Sequence, residues 1–243
     1  MNKQKMFLSL NNTYYEMLDN SYDYSKIKRY DIINFLSKKY GFKSYLEIGT
    51  SNFLNYNKIE IQDKECIDPQ RNKGYTYNMT SDDAFKIINR KYDIIFIDGF
   101  HHGEQVDRDI KNSLKVLNDN GVIVLHDCNP PTALHARYPP PNPINCPWNG
   151  DCYKSIVRFR IENPNIFSFV VDTDWGVGVI DKNLNRNTEN IHIPENLLEN
   201  KNDKIVGGIL NVGNKKITWD YFNKNRKNLL NLINTDDFFK LYE

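Results

Sequence analysis

Apolar positions along this chain recur in two periods. Ile27, Tyr30, Ile33, Leu36 and Tyr40 return at helical spacing and Gly41 suits a helix stop, so residues 1–43 read as a helical segment. Short apolar runs then alternate with amphipathic stretches. Residues 44–48 predict a first strand, 64–68 a second, 75–78 a third, and 92–97 a strand apolar enough to be covered on both faces. Residues 50–59 read as a short helix or loop. Thr80 or Ser81 caps a helix. Val106, Ile110, Leu114 and Leu117 mark one face of another, which Asn120-Gly121 stops. Residues 122–125 predict the next strand and 151–162 a helix. Residues 166–171 and 175–180 predict two closing strands around Asp172-Thr173-Asp174. A C-terminal helix is expected to carry Trp219, Phe222, Leu229, Leu230 and Ile233 on one side.

Strands alternating with helices imply a parallel sheet with right-handed crossovers. The last two strands are joined too closely for a crossover, so that pair is expected to be antiparallel. The predicted fold class is α/β: a Rossmann-like, doubly wound, mostly parallel seven-stranded sheet with an antiparallel last strand and helical N- and C-terminal extensions. The organisation reads as an N-terminal helical segment (1–43), a core (44–182) and a C-terminal extension (183–243) ending in a helix. Prolines exclude regular structure through residues 129–148, which read as a lid over the active edge.

Composition narrows the function classes. Basic and acidic residues nearly cancel over 243 residues, leaving a net charge of +1, so no basic footprint for nucleic acid is present. No apolar stretch reaches membrane-spanning length, and the N-terminus lacks the apolar core of a signal peptide. The expected location is cytoplasmic, with no membrane partner. Cys66, Cys128, Cys146 and Cys152 lack the spacing of a zinc or redox motif and read as free thiols.

The chemistry gathers where strands end. Glu47-Ile48-Gly49-Thr50-Ser51 follows the first strand: Gly49 lets the backbone pass close to a ligand, and Glu47 can order the turn or meet a cationic ligand. Asp68 ends the second strand, where a carboxylate can accept from both ribose hydroxyls or form a turn with Pro69. Asp98 and His126-Asp127 end two apolar strands. If these strands are neighbours, Asp98 and Asp127 lie roughly 5 Å apart, and such a pair is relieved by protonation or by an Mg²⁺-type ion with oxygen ligands. The other reading gives one acid to cofactor or backbone, with no metal. On a strict strand His126 and Asp127 point to opposite faces; only a turn beginning there lets both point inward. His101 and His102 precede a helix at this edge, where an imidazole can take a hydroxyl proton. His135, Arg137 and Trp148 in the proline-rich segment, with Trp175, are candidate substrate walls.

Several segments together resemble a known family. They are Tyr-Leu-Glu-Ile-Gly (45–49), Ile-Asp-Pro (67–69), Met-Thr-Ser-Asp (79–82), Phe-Ile-Asp-Gly-Phe-His-His (96–102), Val-Ile-Val-Leu-His-Asp-Cys-Asn-Pro-Pro (122–131) and Val-Asp-Thr-Asp-Trp-Gly-Val-Gly-Val-Ile (171–180). The chain resembles class I S-adenosylmethionine-dependent methyltransferases of the family-24 type, relatives of the macrocin and cephalosporin-cluster proteins, over roughly residues 40–182. The resemblance implies that Glu47, Gly49, Thr50 and Ser51 cradle the methionine part of the cofactor, Asp68 holds the ribose, and Thr80, Ser81 and Asp82 lie beside the adenine, with Asp98 also at the cofactor. It implies a divalent ion, Mg²⁺ or another, on Asp98 and Asp127 with His126, where relatives often carry a further acid. Phe53 stands where the family turn often has a second glycine, and its ring is expected to crowd the cofactor or shift the turn.

These readings converge on an S-adenosylmethionine-dependent O-methyltransferase acting on a hydroxyl of a sugar or glycan precursor. Asp98, His101 and His102 are its candidate catalytic residues and a small molecule or glycan its partner; a homo-oligomer is left open. Two alternatives stand beside it: an iron-dependent hydroxylase-like enzyme, because a His/Asp cluster can hold iron, and a non-catalytic cofactor-binding module of the same fold.

Overall fold

The computed structural model describes residues 26–70, 74–140, 148–184, 210–212 and 215–243. The helix expected before residue 26, residues 141–147 with Cys146, and residues 185–209 of the polar extension lie outside the described residues.

Helix α1 (Arg29–Tyr40) is followed by β1 (Ser44–Ile48), β2 (Asp63–Ile67), α2 (Ser81–Ile87), β3 (Tyr92–Ile97), α3 (Gly103–Val116), β4 (Leu117–Leu125), α4 (Tyr153–Glu162), β5 (Phe167–Val171) and β6 (Val177–Asp181). A small hairpin, β7 (Leu210–Val212) and β8 (Lys215–Ile217), precedes α5 (Trp219–Leu230), β9 (Leu232–Ile233) and α6 (Thr235–Leu241). The main sheet has seven strands in the order β2-β1-β3-β4-β6-β5-β9. Its neighbours are parallel except β6, which runs antiparallel to both β4 and β5. The expected Rossmann-like, mostly parallel sheet with an antiparallel closing strand is therefore observed.

Three details differ from expectation. Residues 75–78 do not form a ladder: Tyr77 makes one isolated bridge to Ile67, and the hydroxyl of Thr76 accepts from the Cys66 amide where a main-chain bond would stand. The seventh strand is instead β9, within residues expected to be helical. Asn231 takes a left-handed φ of 47° and ends α5 after Leu230, so Ile233 pairs with Val171 on the sheet edge. Helix α3 also stops earlier than Asn120-Gly121, because Leu117 already pairs with Tyr92.

Alternation along the strands splits the core. Tyr45, Ile94, Phe96, Val122 and Val124 face α1 and α6, packing against Ile32, Ile33, Leu36 and Phe238. Leu46, Ile48, Ile95, Ile97, Ile123 and Leu125 face the other layer, packing against Val106, Ile110, Ile156 and Phe222. Tyr40 and Tyr242 both donate to one oxygen of Asp181 at 2.8 Å, tying both terminal helices to β6. Cys66, Cys128 and Cys152 are buried free thiols.

Candidate active site at the carboxyl edge of the sheet

Strand register builds the site. Ile48 pairs with Ile67 and Ile97, and Ile97 with Leu125. The next residues, Gly49, Asp68, Asp98 and His126, therefore stand in one row at the carboxyl edge, where ligands bind in such sheets. A cavity of about 860 Å³ runs along this row, within the range of small-molecule sites. Gly49, Ser51, Asp68, Thr80 and Ser81 line one end; Asp98, His101, His126, Asp127, Trp148 and Trp175 line the other.

At the first end, Gly49 has a φ of 84°, and a Cβ there would lie 2.1 Å from the Asp98 carbonyl oxygen. The β1 and β3 turns thus touch backbone to backbone. Asp68 is buried and accepts from the Ser51 amide at 2.7 Å and the Gln70 amide at 2.9 Å. Its carboxylate thereby pins the Gly49 turn to β2, and its remaining lone pairs are available to a ligand. Thr80 caps α2 through the Asp83 amide at 3.2 Å.

Several expected cofactor contacts are not at the cavity wall. Glu47 lies on the α1 face of the sheet with Tyr45, whose hydroxyl donates to it, and accepts from the Asn55 amide nitrogen at 2.7 Å. It orders the turn from behind, and burial pushes its carboxyl up to about 7. Thr50 is buried beneath the turn. Asp82 faces Arg108 at 3.3 Å and Gln105 at 3.2 Å. Phe53 does not line the cavity either; it stacks on Tyr75 with centroids 5.0 Å apart.

At the second end, Asp127 has a φ of 59°, so a turn does begin there. Nδ1 of His126 lies 3.0 Å from Asp127 Oδ2, and both side chains reach the site. His126 continues the α1-facing row of Val122 and Val124, and so meets Arg29 at the start of α1. Arg29 Nη1 lies 2.8 Å from Asp98 Oδ2 and 2.9 Å from His126 Nδ1, and its Nε lies 3.1 Å from Asp174 Oδ2. Nδ1 of His126 can donate to Asp127 or accept from Arg29, not both.

His101 reaches the same acids from the α3 side. Its Nε2 is 3.4 Å from Asp98 Oδ1 and 3.2 Å from Asp127 Oδ2, and its Nδ1 is 3.0 Å from the Trp148 carbonyl. Among the described residues, Asp98, His101 and Asp127 form the one group whose ligand atoms lie close enough together, within 4.8 Å of one another, to share an ion.

Burial opposes charge on these groups, but their mutual attraction prevails. Burial lowers His101, yet Asp127 and Asp98 raise it to about 9. The same two acids hold His126 well above its usual range against burial. Burial would raise Asp98, but His126, His101 and Arg29 hold it far below the usual carboxylate range. The two acids thus favour the protonated form of His101, which opposes the base role expected of it.

The other expected residues divide. Trp148 and Trp175 line the cavity. Trp175 is held there by a strained turn in which Asp174, Trp175 and Gly176 all have positive φ, and its carbonyl accepts from the Asn129 amide at 2.9 Å. His135 and Arg137 do not line it. His135 is buried against Thr132 and the Trp175 ring, and burial with Arg137 lowers it to about 4. Arg137 folds back on the Leu134 carbonyl. His102 also misses the cavity; its ring packs on Tyr138, centroids 4.1 Å apart.

Four residues were not foreseen. Arg29 had no local signal, since a basic residue opening an amphipathic helix reads as solvated. Asn149 donates to Asp127 Oδ1 at 2.6 Å from a segment read only as lid. Gln105 and Asp109 line the cavity beside Ser81; they occupy the polar side of a helix whose apolar stripe alone was informative.

No described helix is long and apolar enough to cross a membrane. By sequence, no curated protein matches the chain. Among solved structures, an O-methyltransferase from Bacillus cereus in complex with SAH is 13% identical, with 75% of this chain and 92% of that one covered and a TM-score of 0.47. The O-methyltransferase TomG from Streptomyces achromogenes, in complex with SAM, is 11% identical over 63% and 79% of the two chains, with a TM-score of 0.45. The MycE methyltransferase of mycinamycin biosynthesis, in complex with Mg, SAH and mycinamycin VI, is 16% identical over 66% and 49%, with a TM-score of 0.41. All three TM-scores are too low to bear on what this chain binds. The segment from β2 to just past β4, which carries Asp68, Asp98, His126 and Asp127, is similar to a family described as a methyltransferase domain, matched over residues 62–128.

Proposed function

We propose that the chain is an S-adenosylmethionine-dependent O-methyltransferase that acts on a hydroxyl of a sugar or glycan precursor. The observation that carries this reading is the continuity of one cavity from the Gly49 turn and Asp68 to the Asp98–Asp127 acids. A nucleoside seated on Asp68 has its reactive end near the acids, and the family match over residues 62–128 covers the same edge.

S-adenosylmethionine supplies, when bound, an electrophilic methyl group on a sulfonium. The chain's residues bind and align. Asp68 takes the ribose hydroxyls, the Gly49–Ser51 backbone lies under the methionine part, and Thr80 and Ser81 flank the base. Asp98 stands between the two ends. Alignment of a hydroxyl with the methyl group carries most of the barrier reduction in an in-line displacement. Trp148 and Trp175 offer flat apolar faces beside polar acceptors, a combination that suits a sugar ring and keeps water out. The hydroxyl proton passes to the carboxylate of Asp127, whose Oδ2 lies 3.2 Å from His101 Nε2. Asp98 and Asp127, with a neighbouring imidazole, are also where a divalent ion would sit and polarise the hydroxyl.

Because Phe53 packs on Tyr75 rather than on the cavity, the steric motive for a non-catalytic module falls away. The test is transfer of labelled methyl from S-adenosylmethionine to a panel of sugars, nucleotide sugars and glycans. A methylated hydroxyl in the product is expected; cofactor consumption with methyl on nitrogen or carbon instead would contradict the O-transfer reading.

A further inference from the structure

We infer that Arg29 receives the carboxylate of the cofactor's methionine part, and is therefore the residue by which this cavity separates S-adenosylmethionine from its decarboxylated form. The inference rests on the cofactor reading above. It adds a residue from α1, outside the segment that matches the methyltransferase family.

The charge of the wall sets the problem. Asp68, Asp98, Asp109 and Asp127 line the cavity, and among the described residues Arg29 is the one lysine or arginine beside them. An acidic wall suits the sulfonium and the ammonium of S-adenosylmethionine but repels its carboxylate. The imidazoles of His101 and His126 are already set against Asp98 and Asp127.

The backbone along this edge is committed as well. The amides of Gly49, Asp98 and His126 donate to the carbonyls of Ile67, Ile48 and Ile97, and the Ser51 amide donates to Asp68. A carboxylate entering beside this row therefore needs a side-chain donor, or it is desolvated without a partner.

Arg29 has donors left over. Its Nε lies 3.1 Å from Asp174 Oδ2, and its Nη1 lies 2.8 Å from Asp98 Oδ2 and 2.9 Å from His126 Nδ1. Its Nη2 has no partner among the described residues. A guanidinium stays charged at any working pH and pairs with a planar carboxylate through N–H groups in a fixed fork.

Its place agrees with the methionine part. The Gly49 turn touches the Asp98 backbone, since a Cβ on Gly49 would lie 2.1 Å from the Asp98 carbonyl oxygen. The Asp98 side chain in turn holds Arg29, so the guanidinium stands where the two ends of the cavity meet. Its backbone is fixed too. The Arg29 amide donates to Asp174 Oδ2 at 3.0 Å, and the Ile27 carbonyl accepts from the Thr173 hydroxyl at 2.6 Å. A guanidinium held in advance loses less conformational freedom on binding than a free one.

The test is calorimetric titration of the full chain, Arg29→Gln and Arg29→Lys with two ligands. One is S-adenosylhomocysteine; the other is decarboxylated S-adenosylhomocysteine, which keeps the amine and lacks the carboxylate. Wild type should prefer the first by roughly thirtyfold, the scale of a charge-assisted hydrogen bond. Arg29→Gln should lose the preference to within about threefold while binding the decarboxylated ligand nearly as wild type does, and Arg29→Lys should keep part of it. Urea unfolding checks that the variants are folded. A residue that only clamps the wall would weaken both ligands alike, and that parallel loss overturns the inference while the cofactor reading stands. A preference that survives intact in Arg29→Gln overturns it too. Should the variants not fold, equal wild-type affinity for the two ligands is enough to overturn it. No binding of either ligand to wild type removes the cofactor reading and the inference together.

Discussion

Nη1 of Arg29 lies 2.8 Å from Oδ2 of Asp98, joining the first turn of α1 to the end of β3 across 69 residues of sequence. The same guanidinium reaches Asp174, so Arg29 clamps two turns of the site wall. Its side chain is 27% exposed, which moderates the cost of losing a buried partner. Arg29→Ala is expected to destabilise the fold by about 1–3 kcal/mol. Arg29→Lys keeps the charge but not the fork that spans both acids, and should recover only part of that loss. Urea unfolding checks the order; equal stability of all three proteins would show the clamp to be idle.

Two glycines with similar backbone angles should behave differently. Gly41 has a φ of 70° with nothing within 4 Å of a Cβ, whereas Gly49 would drive a Cβ to 2.1 Å from the Asp98 carbonyl oxygen. Gly41→Ala should cost about 1 kcal/mol of stability and leave cofactor affinity unchanged. Gly49→Ala should cost about 3 kcal/mol and weaken S-adenosylhomocysteine binding at least tenfold. Thermal melts and calorimetry on both variants make the comparison.

Stability should depend on pH through Glu47. Burial raises its folded pKa from 4.5 to about 7. Between those values the folded chain binds a proton that the unfolded chain has released, so this group's stability contribution is full below about 4.5 and is lost as pH rises toward 7. The loss is on the order of 3 kcal/mol across that window. Glu47→Gln removes the titrating group, so the stability difference, variant minus wild type, should grow from pH 5 to pH 7.5. Parallel profiles would show that Glu47 is already ionised in the fold.

Phe53 offers a negative prediction. Its ring stacks on Tyr75 and does not line the cavity. Phe53→Gly should therefore leave S-adenosylhomocysteine affinity within about threefold while losing stability with the stacked pair. A large gain in affinity would mean that the ring does obstruct the site.

How much of this was legible in sequence depended on how local each cause is. The row Gly49, Asp68, Asp98, His126 was readable because each residue closes its own apolar run, and parallel pairing aligns the ends. The turn at Asp127 was readable only as a condition. The amides of Cys128 and Asn129 that complete it donate to Gly176 and Trp175, nearly fifty residues away. The Ile67–Tyr77 bridge and β9 were misjudged because runs of two to four apolar residues carry neither period clearly. Arg29 and Asn149 were invisible for a different reason: their partners are distant in sequence, and nothing near them marks the contact. Ring orientation was equally hidden, since the Trp148 carbonyl that directs His101 lies 47 residues away.

Asp68 bears on the central claim. Both of its oxygens already hold backbone amides, so Asp68→Asn should retain one of these bonds and fold, yet lose ribose acceptors worth about 2 kcal/mol, roughly thirtyfold in affinity. The most direct measurement is calorimetric titration of S-adenosylhomocysteine into the full chain and its Asp68→Asn variant. Binding at one site with micromolar affinity, weakened roughly thirtyfold by the substitution, is the expected result. No binding at millimolar ligand, or binding indifferent to Asp68, would contradict the assignment of this cavity to S-adenosylmethionine.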